Sequence, residues 1–257
     1  MLKRKRRQLF LSAIATVGLL WLLILYAQLT IPNVQSLKIE NPATTAFMKR
    51  YEGKQPLKFE WVPYSKIAPS LKQAVVVAED GTFFEHHGFD WQAIRQAIEK
   101  NWRKKELARG GSTITQQLAK NLYLSPSKNP LRKIREVLIS IGLEQHLSKQ
   151  RILEIYLNVV EWGDGIYGAH AAARHYFNVN ASELNPRQSA WLAAILPNPK
   201  YYEKHRAGAF LQRKTAKIAG VLGYKPAELE PVKPSAPPLP PVDIYDDMPY
   251  EEKVEEF

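Results

Sequence analysis

Residues 129–159 read NPLRKIREVLISIGLEQHLSKQRILEIYLNV, and their apolar residues recur every three or four positions. That spacing predicts two consecutive amphipathic helices. Asn129 followed by Pro130 is typical of a helix start, and Ser148 is a typical N-cap for the second helix. The first helix carries one apolar stripe, formed by Leu131, Ile134, Leu138 and Ile141. The second helix carries Ile152, Ile155, Tyr156 and Val159 at the same spacing. The stretch therefore predicts a mainly α domain.

The helical pattern continues on both sides of this stretch. Upstream, residues 71–78 read LKQAVVVA and end at Glu79, and residues 89–102 read FDWQAIRQAIEKNW. Downstream, SAWLAAIL at 189–196 predicts a short buried helix that Pro197 ends. No segment alternates apolar and polar residues over more than a few positions, so we expect little β-sheet.

The composition excludes several classes of chemistry. The 257 residues include no cysteine, which excludes a disulfide framework, a thiolate metal site and a cysteine nucleophile. The formal net charge of +11 favours an anionic partner, such as a nucleic acid, a membrane surface or a phosphorylated substrate. Residues 231–257 hold two basic and seven acidic side chains, so the basic excess belongs to the rest of the chain.

An uncharged apolar run, LFLSAIATVGLLWLLILYAQLT at residues 9–30, follows the basic cluster Lys3 to Arg7. As a helix it is about 33 Å long, enough to cross the hydrocarbon core of a bilayer. The basic cluster predicts a cytoplasmic amino terminus and a body outside the cytoplasm, which disfavours nucleic acid as the partner. The alternative is a cleaved signal peptide, but the run is longer than a signal core and no A-x-A-like site follows it.

The composition also predicts how the chain is divided. We expect a cytoplasmic basic segment at 1–8, a transmembrane anchor at 9–30, a linker at 31–59, the folded domain at 60–225 and a tail at 226–257. Prolines interrupt the linker. The tail is rich in proline and acidic residues, which cannot bury a core, so we expect it to be disordered.

Two carboxylates are candidates for chemistry. Glu79 follows the apolar run 74–78 at an expected helix end, and both surroundings disfavour a negative charge. Its pKa should therefore be raised, as a general base requires; the alternative is a solvated residue that merely ends a helix. Glu136 lies on the helix face opposite the apolar stripe, which is the expected core face. It shares its own face with Arg132 and Lys133, which fits either a site or a surface salt-bridge cluster.

Between these carboxylates lies RGGSTITQQLAKN at residues 109–121, a glycine pair followed by hydroxyl and amide side chains. Such a loop running into a helix makes a cradle for oxyanions. Lys120, Arg132 and Lys133 add the positive charge that a pyrophosphate leaving group needs. The segment therefore favours a phosphorylated substrate.

Two other patterns are discounted. GDGIYG at 163–168 satisfies the dinucleotide-binding G-x-G-x-x-G pattern, but it follows an expected helix end rather than a strand. Glu85, His86 and His87 are potential metal ligands, but adjacent histidines point apart on regular structure and the chain has no H-E-x-x-H motif. We therefore expect neither a nucleotide cofactor nor a metal site.

Five segments together resemble the peptidoglycan glycosyltransferases. EDGTFFEHHG matches that family's E-D-x-x-F-x-x-H-x-G signature, and GGSTITQQ matches its G-G-S-T-[IL]-T-Q-Q block. The five segments follow family order at 79–88, 110–117, 132–136, 148–158 and 165–177. Because no transpeptidase domain accompanies them, the chain resembles the monofunctional biosynthetic transglycosylases rather than the class A penicillin-binding proteins that share this domain.

The resemblance implies a mainly α, lysozyme-like helical domain with a small membrane-proximal jaw lobe, preceded by one N-terminal transmembrane helix. It also implies that Glu79 is the general base and that Glu136 is the second catalytic carboxylate, which either assists the departing pyrophosphate or its cation, or holds Arg132 and Lys133 in place. The substrate-binding positions it implies are Lys120, Arg132, Lys133, Ser112, Thr113, Gln117, Asn121, Asp80, Phe83 and His86. Among them the three cations match phosphate-binding positions, whereas Asp80, Phe83 and His86 shape the cleft.

The implied activity is polymerisation of glycan strands from lipid II, with inversion at the anomeric carbon and loss of undecaprenyl pyrophosphate. The implied partners are lipid II, the lipid-linked strand, the membrane, and division or elongation proteins. The implied location is the inner membrane of a bacterium, with a single membrane pass and the catalytic domain outside the cytoplasm. No cofactor is expected to be required, although some relatives use Mg²⁺ or Mn²⁺.

Two alternatives accompany this interpretation. A lytic transglycosylase shares the lysozyme-like architecture but cleaves glycan with one acidic glutamate, and a non-catalytic scaffold would only bind the cell wall. Two glutamates beside a basic cluster favour synthesis, because cleavage of a neutral glycosidic bond leaves no pyrophosphate for Lys120, Arg132 and Lys133 to stabilise.

Overall fold

The computed structural model describes residues 2–92, residue 95, and residues 112–127 and 129–224. Most of the helix expected over 89–102, the glycine pair Gly110 and Gly111, and the tail at 226–257 lie outside the described residues. The predictions for these three segments therefore stay predictions.

The described part of the chain is mainly helical, as the sequence predicts. The helices are α1 (Leu2–Thr30), α2 (Pro69–Glu79), α3 (Ile114–Tyr123), α4 (Pro130–His146), α5 (Lys149–Val159), α6 (Ala169–Phe177), α7 (Pro186–Ile195), α8 (Pro199–Lys204) and α9 (Ala209–Val221). Short 3-10 turns lie at Gln35–Lys38, Met48–Arg50, Tyr64–Lys66 and Ala181–Glu183.

The helices begin where the sequence supplies caps. The side chain of Asn129 accepts a hydrogen bond from the backbone of Leu131 at the start of α4, and that of Ser148 accepts one from Arg151 at the start of α5. Each bond pairs a backbone N–H that has no partner within its own helix. Both predicted helix starts are confirmed.

A small three-stranded sheet has the order β1–β3–β2, with β1 at Lys58–Phe59, β2 at Glu161–Gly163 and β3 at Ile166–Tyr167. β1 is parallel to β3, and β2 is antiparallel to it. The pattern GDGIYG belongs to this hairpin and to the start of α6. Gly168 has φ +88°, and a Cβ there would lie 2.5 Å from the carbonyl oxygen of Asn158, so the position requires glycine.

The core lies around α5 and α7. The predicted apolar residues of α5 are all buried, and this helix packs against α3, α4 and α6. α7 packs against α2 and α9. Asn158 is the buried polar residue of α5, and its side chain binds both the backbone N–H and the carbonyl of Val62. These two hydrogen bonds attach the segment that leads into α2 to the core.

The segment 31–59, predicted as a linker, contributes side chains to the core. Val34, Leu37 and Met48 are buried in the same core. The backbone N–H of Ala46 donates to the carbonyl of Leu122 at the end of α3. These residues are too widely spaced to show helical or strand periodicity, which is why the sequence pattern did not reveal their burial.

The buried face of α4 is not the one that its apolar stripe indicates. Leu131 is 55% exposed and Ile134 is 46% exposed, whereas Glu136 is 3% exposed. Ile139 and Leu143 are buried on the same side as Glu136. The prediction that Glu136 lies opposite the core face is therefore wrong. Its burial is compatible with folding because two cations of the same helix pair with its charge.

The amino-terminal helix α1 includes the apolar run at 9–30. Within the part of the chain that the structure describes, no helix is both long enough and apolar enough to cross a membrane. The transmembrane anchor stays a prediction.

Candidate active site

Glu79 is the last residue of α2, as the sequence predicts. Its Oε2 atom accepts a hydrogen bond of 2.8 Å from the side-chain amide of Gln117 on α3. Burial raises the pKa of Glu79, and the nearby charge of Asp80 raises it further, while the bond from Gln117 and the charge of Lys214 lower it. Since burial is the largest of these effects, the expected upward shift is confirmed.

Asp80 joins the end of α2 to the start of α3. One of its carboxylate oxygens accepts a bond of 3.0 Å from the backbone N–H of Ile114, the first residue of α3. The other lies 2.8 Å from Nε2 of His86. Asp80 therefore fixes the end of α2 beside α3 and holds the imidazole ring of His86. The role of these two residues in shaping the cleft stays a prediction.

Phe83 is completely buried, with the ammonium of Lys149 4.4 Å from the centre of its ring. Its side chain anchors the loop after α2 in the core. A completely buried ring does not contact a substrate, and the cleft-shaping role of Phe83 stays a prediction.

Lys120 lies three residues after Gln117 on α3, so the two side chains share one face and are about 5 Å apart along the axis. Burial lowers the pKa of Lys120. The negative charge of Glu136 raises it, and the positive charges of Arg132 and Lys133 lower it. These influences place Lys120 near Arg132, Lys133 and Glu136 of α4.

Glu136 is held by Arg132 and Lys133, which lie about one turn before it on α4. Its Oε2 lies 2.5 Å from Nη1 of Arg132, and its Oε1 accepts a hydrogen bond from Nζ of Lys133. The Lys133 side chain is 47% exposed and that of Arg132 is 18% exposed, so both cations reach solvent above a buried carboxylate. We call Lys120, Arg132 and Lys133 the cation cluster.

Three remaining predicted residues have different environments. Ser112 is exposed at the start of α3, and Asn121 is partly buried one turn after Gln117. Thr113 is buried, and its hydroxyl accepts from the backbone of Gln116 and donates to the carbonyl of Gly88. Thr113 thus serves as the N-cap of α3, which leaves its hydroxyl no free capacity to donate to a substrate.

Comparison with known proteins identifies the family. A family model described as transglycosylase matches residues 45–222, which is most of the chain. The chain belongs to the transglycosylase family. The match begins within the segment that packs against α3, ahead of the predicted domain boundary at residue 60.

Several relatives of this transglycosylase carry the name "Biosynthetic peptidoglycan transglycosylase". The one from Laribacter hongkongensis is 50% identical over 205 residues, which cover 77% of this chain and 90% of the relative. The one from Janthinobacterium sp. is 48% identical over 221 residues, covering 83% of this chain and 94% of the relative. The one from Aromatoleum aromaticum is 56% identical over 171 residues, covering 64% of this chain and 74% of the relative.

Sequence reasoning missed two residues of this transglycosylase site. Tyr156 was interpreted only as an apolar residue of α5, yet its hydroxyl donates to Oε1 of Gln117 at 2.8 Å. The sequence offers one general signal for this bond, since the hydroxyl of a buried tyrosine usually has a hydrogen-bond partner. Lys214 on α9 lies close enough to Glu79 to affect its pKa, and no local pattern links these distant positions.

The site combines two chemical capacities. Glu79 is a carboxylate with a raised pKa, which suits it to accept a proton from a hydroxyl. The cation cluster is suited to bind an anionic group and to stabilise developing negative charge. α3 contacts both parts through Gln117 and Lys120, so one rigid helix sets their relative positions.

The raised pKa of Glu79 predicts a stability effect. Because the folded protein binds the proton more tightly than the unfolded chain, folding stability falls as the pH rises from the unfolded pKa through the higher folded pKa. We expect Glu79→Gln to raise the melting temperature at neutral pH, with the gain shrinking as the pH approaches the ordinary carboxyl pKa. Melting curves over this pH range measure the effect.

A matched control for this measurement is Glu52→Gln, which changes an exposed carboxylate outside the site. Its melting temperature should follow that of the parent at every pH. A lower melting temperature of Glu79→Gln at neutral pH would contradict the interpretation that the ionised carboxylate destabilises the fold.

Proposed function

We propose that this chain is a peptidoglycan glycosyltransferase that extends an undecaprenyl-pyrophosphate-linked glycan strand by adding lipid II. The observation that carries the proposal is that Glu79 and the cation cluster meet the same face of α3. Gln117 on this face binds Glu79, and Lys120 on the same face belongs to the cluster. The family match and the printed names of the relatives support it.

In the proposed reaction Glu79 acts as general base. Its carboxylate removes the proton from the 4-hydroxyl of the terminal GlcNAc of lipid II. That oxygen attacks C1 of the MurNAc at the reducing end of the strand, and the bond from C1 to the pyrophosphate oxygen breaks. A single displacement inverts the α-linked carbon to a β-1,4 linkage. The proton stays on Glu79 until it is lost to solvent.

The cation cluster would stabilise the departing pyrophosphate. Lys120, Arg132 and Lys133 supply donors and positive charge at the point where the leaving group gains charge. Glu136 fixes Arg132 and Lys133 through the two ion pairs of α4. In this proposal Glu136 acts by positioning these cations, while Ser112 and Asn121 lie at the two ends of the same helix for contacts to the donor sugar.

The proposal needs no cofactor. Among the residues that the structure describes, no group of three or more His, Asp or Glu side chains is arranged to hold a metal ion. In the proposed reaction the cation cluster instead stabilises the negative charge of the pyrophosphate. Mg²⁺ or Mn²⁺, where it stimulates the reaction, would act through the phosphate oxygens of the substrate.

We propose that the reaction takes place at the outer surface of the bacterial inner membrane. The run at 9–30 would anchor the chain with its amino terminus in the cytoplasm, because Lys3 to Arg7 precede it. The exposed apolar stripe of α4, which includes Leu131, Ile134 and Ile141, lies on the helix that carries two members of the cation cluster. An apolar surface at this place suits a substrate with a polyprenyl tail.

Removing residues 1–30 tests the role of the anchor. We expect the truncated protein to polymerise lipid II in detergent micelles at nearly the full rate. On lipid vesicles it should be about 10–100-fold slower than the full chain, because anchoring concentrates enzyme and substrate in one plane. Polymerisation rates in micelles and on vesicles provide the comparison. A folded truncation without activity in micelles would show that α1 forms part of the site.

The proposed function itself is tested with purified lipid II. Incubation with the full chain should give glycan strands that a muramidase degrades, and Glu79→Gln should form them at least about 100-fold more slowly. A scaffold would bind lipid II without forming strands, and this result would overturn the proposal.

A further inference from the structure

Tyr156 is joined to Glu79 by a two-step chain of hydrogen bonds. The hydroxyl of Tyr156 donates to Oε1 of Gln117 at 2.8 Å, and Nε2 of Gln117 donates to Oε2 of Glu79 at 2.8 Å. Each of the three residues comes from a different helix: α5, α3 and α2. Tyr156 is completely buried and lies too deep to contact a substrate.

The direction of this chain follows from the donors and acceptors available. An ionised carboxylate only accepts hydrogen bonds, so Glu79 must face the NH₂ group of Gln117. The carbonyl of the same amide then faces Tyr156, whose hydroxyl has to donate. Burial and the nearby charges of Glu79 and Asp80 raise the pKa of Tyr156 well above its ordinary value. The hydroxyl therefore stays protonated and remains a donor wherever Glu79 is ionised.

We infer that Tyr156 is a positioning residue for the general base: its hydroxyl fixes the side-chain amide of Gln117 so that the NH₂ group points at Glu79. This inference rests on the proposed role of Glu79. The hydroxyl acts through Gln117 and takes no part in proton transfer to or from the substrate.

Four groups act on Glu79 from the surrounding elements. Asp80 is its chain neighbour, Lys214 approaches from α9, Gln117 donates from α3 and Tyr156 lies behind Gln117 on α5. Loss of the Tyr156 hydroxyl leaves the carbonyl of Gln117 without its donor, and the amide is then free to rotate away from Glu79. A lost hydrogen bond to the charged form raises the pKa of the carboxyl.

The expected result for Tyr156→Phe follows from that shift. A smaller fraction of Glu79 is ionised at each pH below its midpoint, so the acid limb of the pH–rate profile moves to higher pH. We expect kcat/KM on this limb to fall about three- to tenfold, which corresponds to one ordinary hydrogen bond, with a smaller loss at high pH.

Two measurements test the inference on the full chain. Carbon-13 NMR titration of the Glu79 carboxyl, assigned by its disappearance in Glu79→Gln, gives the ionisation midpoint without any need for activity. The pH–rate profile of lipid II polymerisation gives the same midpoint from catalysis. Both should move upward in Tyr156→Phe.

The matched control is Tyr176→Phe. Tyr176 is also buried, and its hydroxyl donates to the carbonyl of Trp162 at 2.7 Å, far from Glu79 in the hydrogen-bond network. This variant should lose melting temperature without moving either midpoint. A variant that only destabilises the fold is thereby distinguished from a variant that no longer positions the amide of Gln117.

A double substitution tests whether Tyr156 acts through Gln117. In a Gln117→Ala background, Tyr156→Phe should produce no further change in the midpoint.

If Tyr156→Phe does not fold, Tyr156→fluorotyrosine replaces it. The more acidic hydroxyl is a stronger donor and should move the midpoint downward. An unmoved midpoint in folded Tyr156→Phe, or an equal shift in the Gln117→Ala background, would overturn the inference. Absence of polymerisation by the wild type would instead overturn the proposed function, and the NMR titration would still decide the role of Tyr156.

Discussion

Glu79→Gln should reduce kcat for lipid II polymerisation on the order of 10²–10⁴-fold, the usual cost of losing a general base. Glutamine keeps the size of the side chain and can still accept the hydrogen bond from Gln117, but it cannot take the proton of the attacking hydroxyl. The loss should therefore fall on kcat, while KM and equilibrium binding of lipid II change little. Steady-state kinetics and a binding titration of the same preparation separate the two quantities.

The control for Glu79→Gln is Glu85→Gln, which alters an exposed carboxylate in the loop that follows α2. Its kcat should stay near the parent value. If Glu79→Gln retained kcat while its KM rose, Glu79 would be a binding residue and another group would have to serve as the base.

The second large effect is expected at Glu136 and its two ion-pair partners. Glu136→Gln leaves Arg132 and Lys133 without their buried counter-charge, so both cations lose their fixed positions. Arg132→Ala or Lys133→Ala removes a donor to the pyrophosphate directly. We expect each change to lower kcat/KM about 10²–10³-fold, with contributions from both a raised KM and a lowered kcat. Kinetics over a range of donor concentrations measure the two contributions.

Lys200→Ala is a matched control for Lys133→Ala. The Lys200 side chain is 51% exposed, close to the 47% of Lys133, and it also pairs with a carboxylate, Glu161. Loss of an equally exposed ion-paired lysine outside the site should leave kcat/KM nearly unchanged. A similar loss in both variants would mean that the general positive charge of the protein, rather than the cation cluster, attracts the substrate.

Local signals in the sequence were sufficient to predict two helix starts and the raised pKa of Glu79. Asn129, Pro130 and Ser148 predict their helix starts because capping depends only on neighbouring backbone groups. The environment of Glu79 was likewise predictable, since its helix end and its apolar neighbours are adjacent in sequence.

The orientation of α4 was not predictable from its own residues. Two faces of this helix compete: the apolar stripe with Leu131 and Ile134, and the face with Ile139, Leu143 and Glu136. A hydrophobic pattern favours the first face. The second is buried because ion pairs at the start of α4 neutralise Glu136, a compensation that a hydrophobic pattern does not measure.

Long-range polar contacts were also beyond sequence reasoning. The bond from Tyr156 to Gln117 joins residues 39 positions apart, and the effect of Lys214 on Glu79 crosses from α9 to α2. Thr113 illustrates the opposite case, because it belongs to the GGSTITQQ segment and yet its hydroxyl pairs with backbone groups of the protein. Its hydroxyl binds the backbone at the start of α3, so the motif combines binding residues with residues that shape the backbone.

The most direct test of the central claim gives one enzyme preparation two substrates, lipid II and purified peptidoglycan, and follows the products by mass spectrometry. Because Glu79 is proposed to act as a base beside a cation cluster that binds pyrophosphate, we predict β-1,4-linked strands and free undecaprenyl pyrophosphate from lipid II. Preformed peptidoglycan should stay intact at every pH tested. Release of anhydro-sugar fragments from peptidoglycan, with lipid II left unchanged, would contradict the account and show that Glu79 is the acid of a glycan-cleaving enzyme.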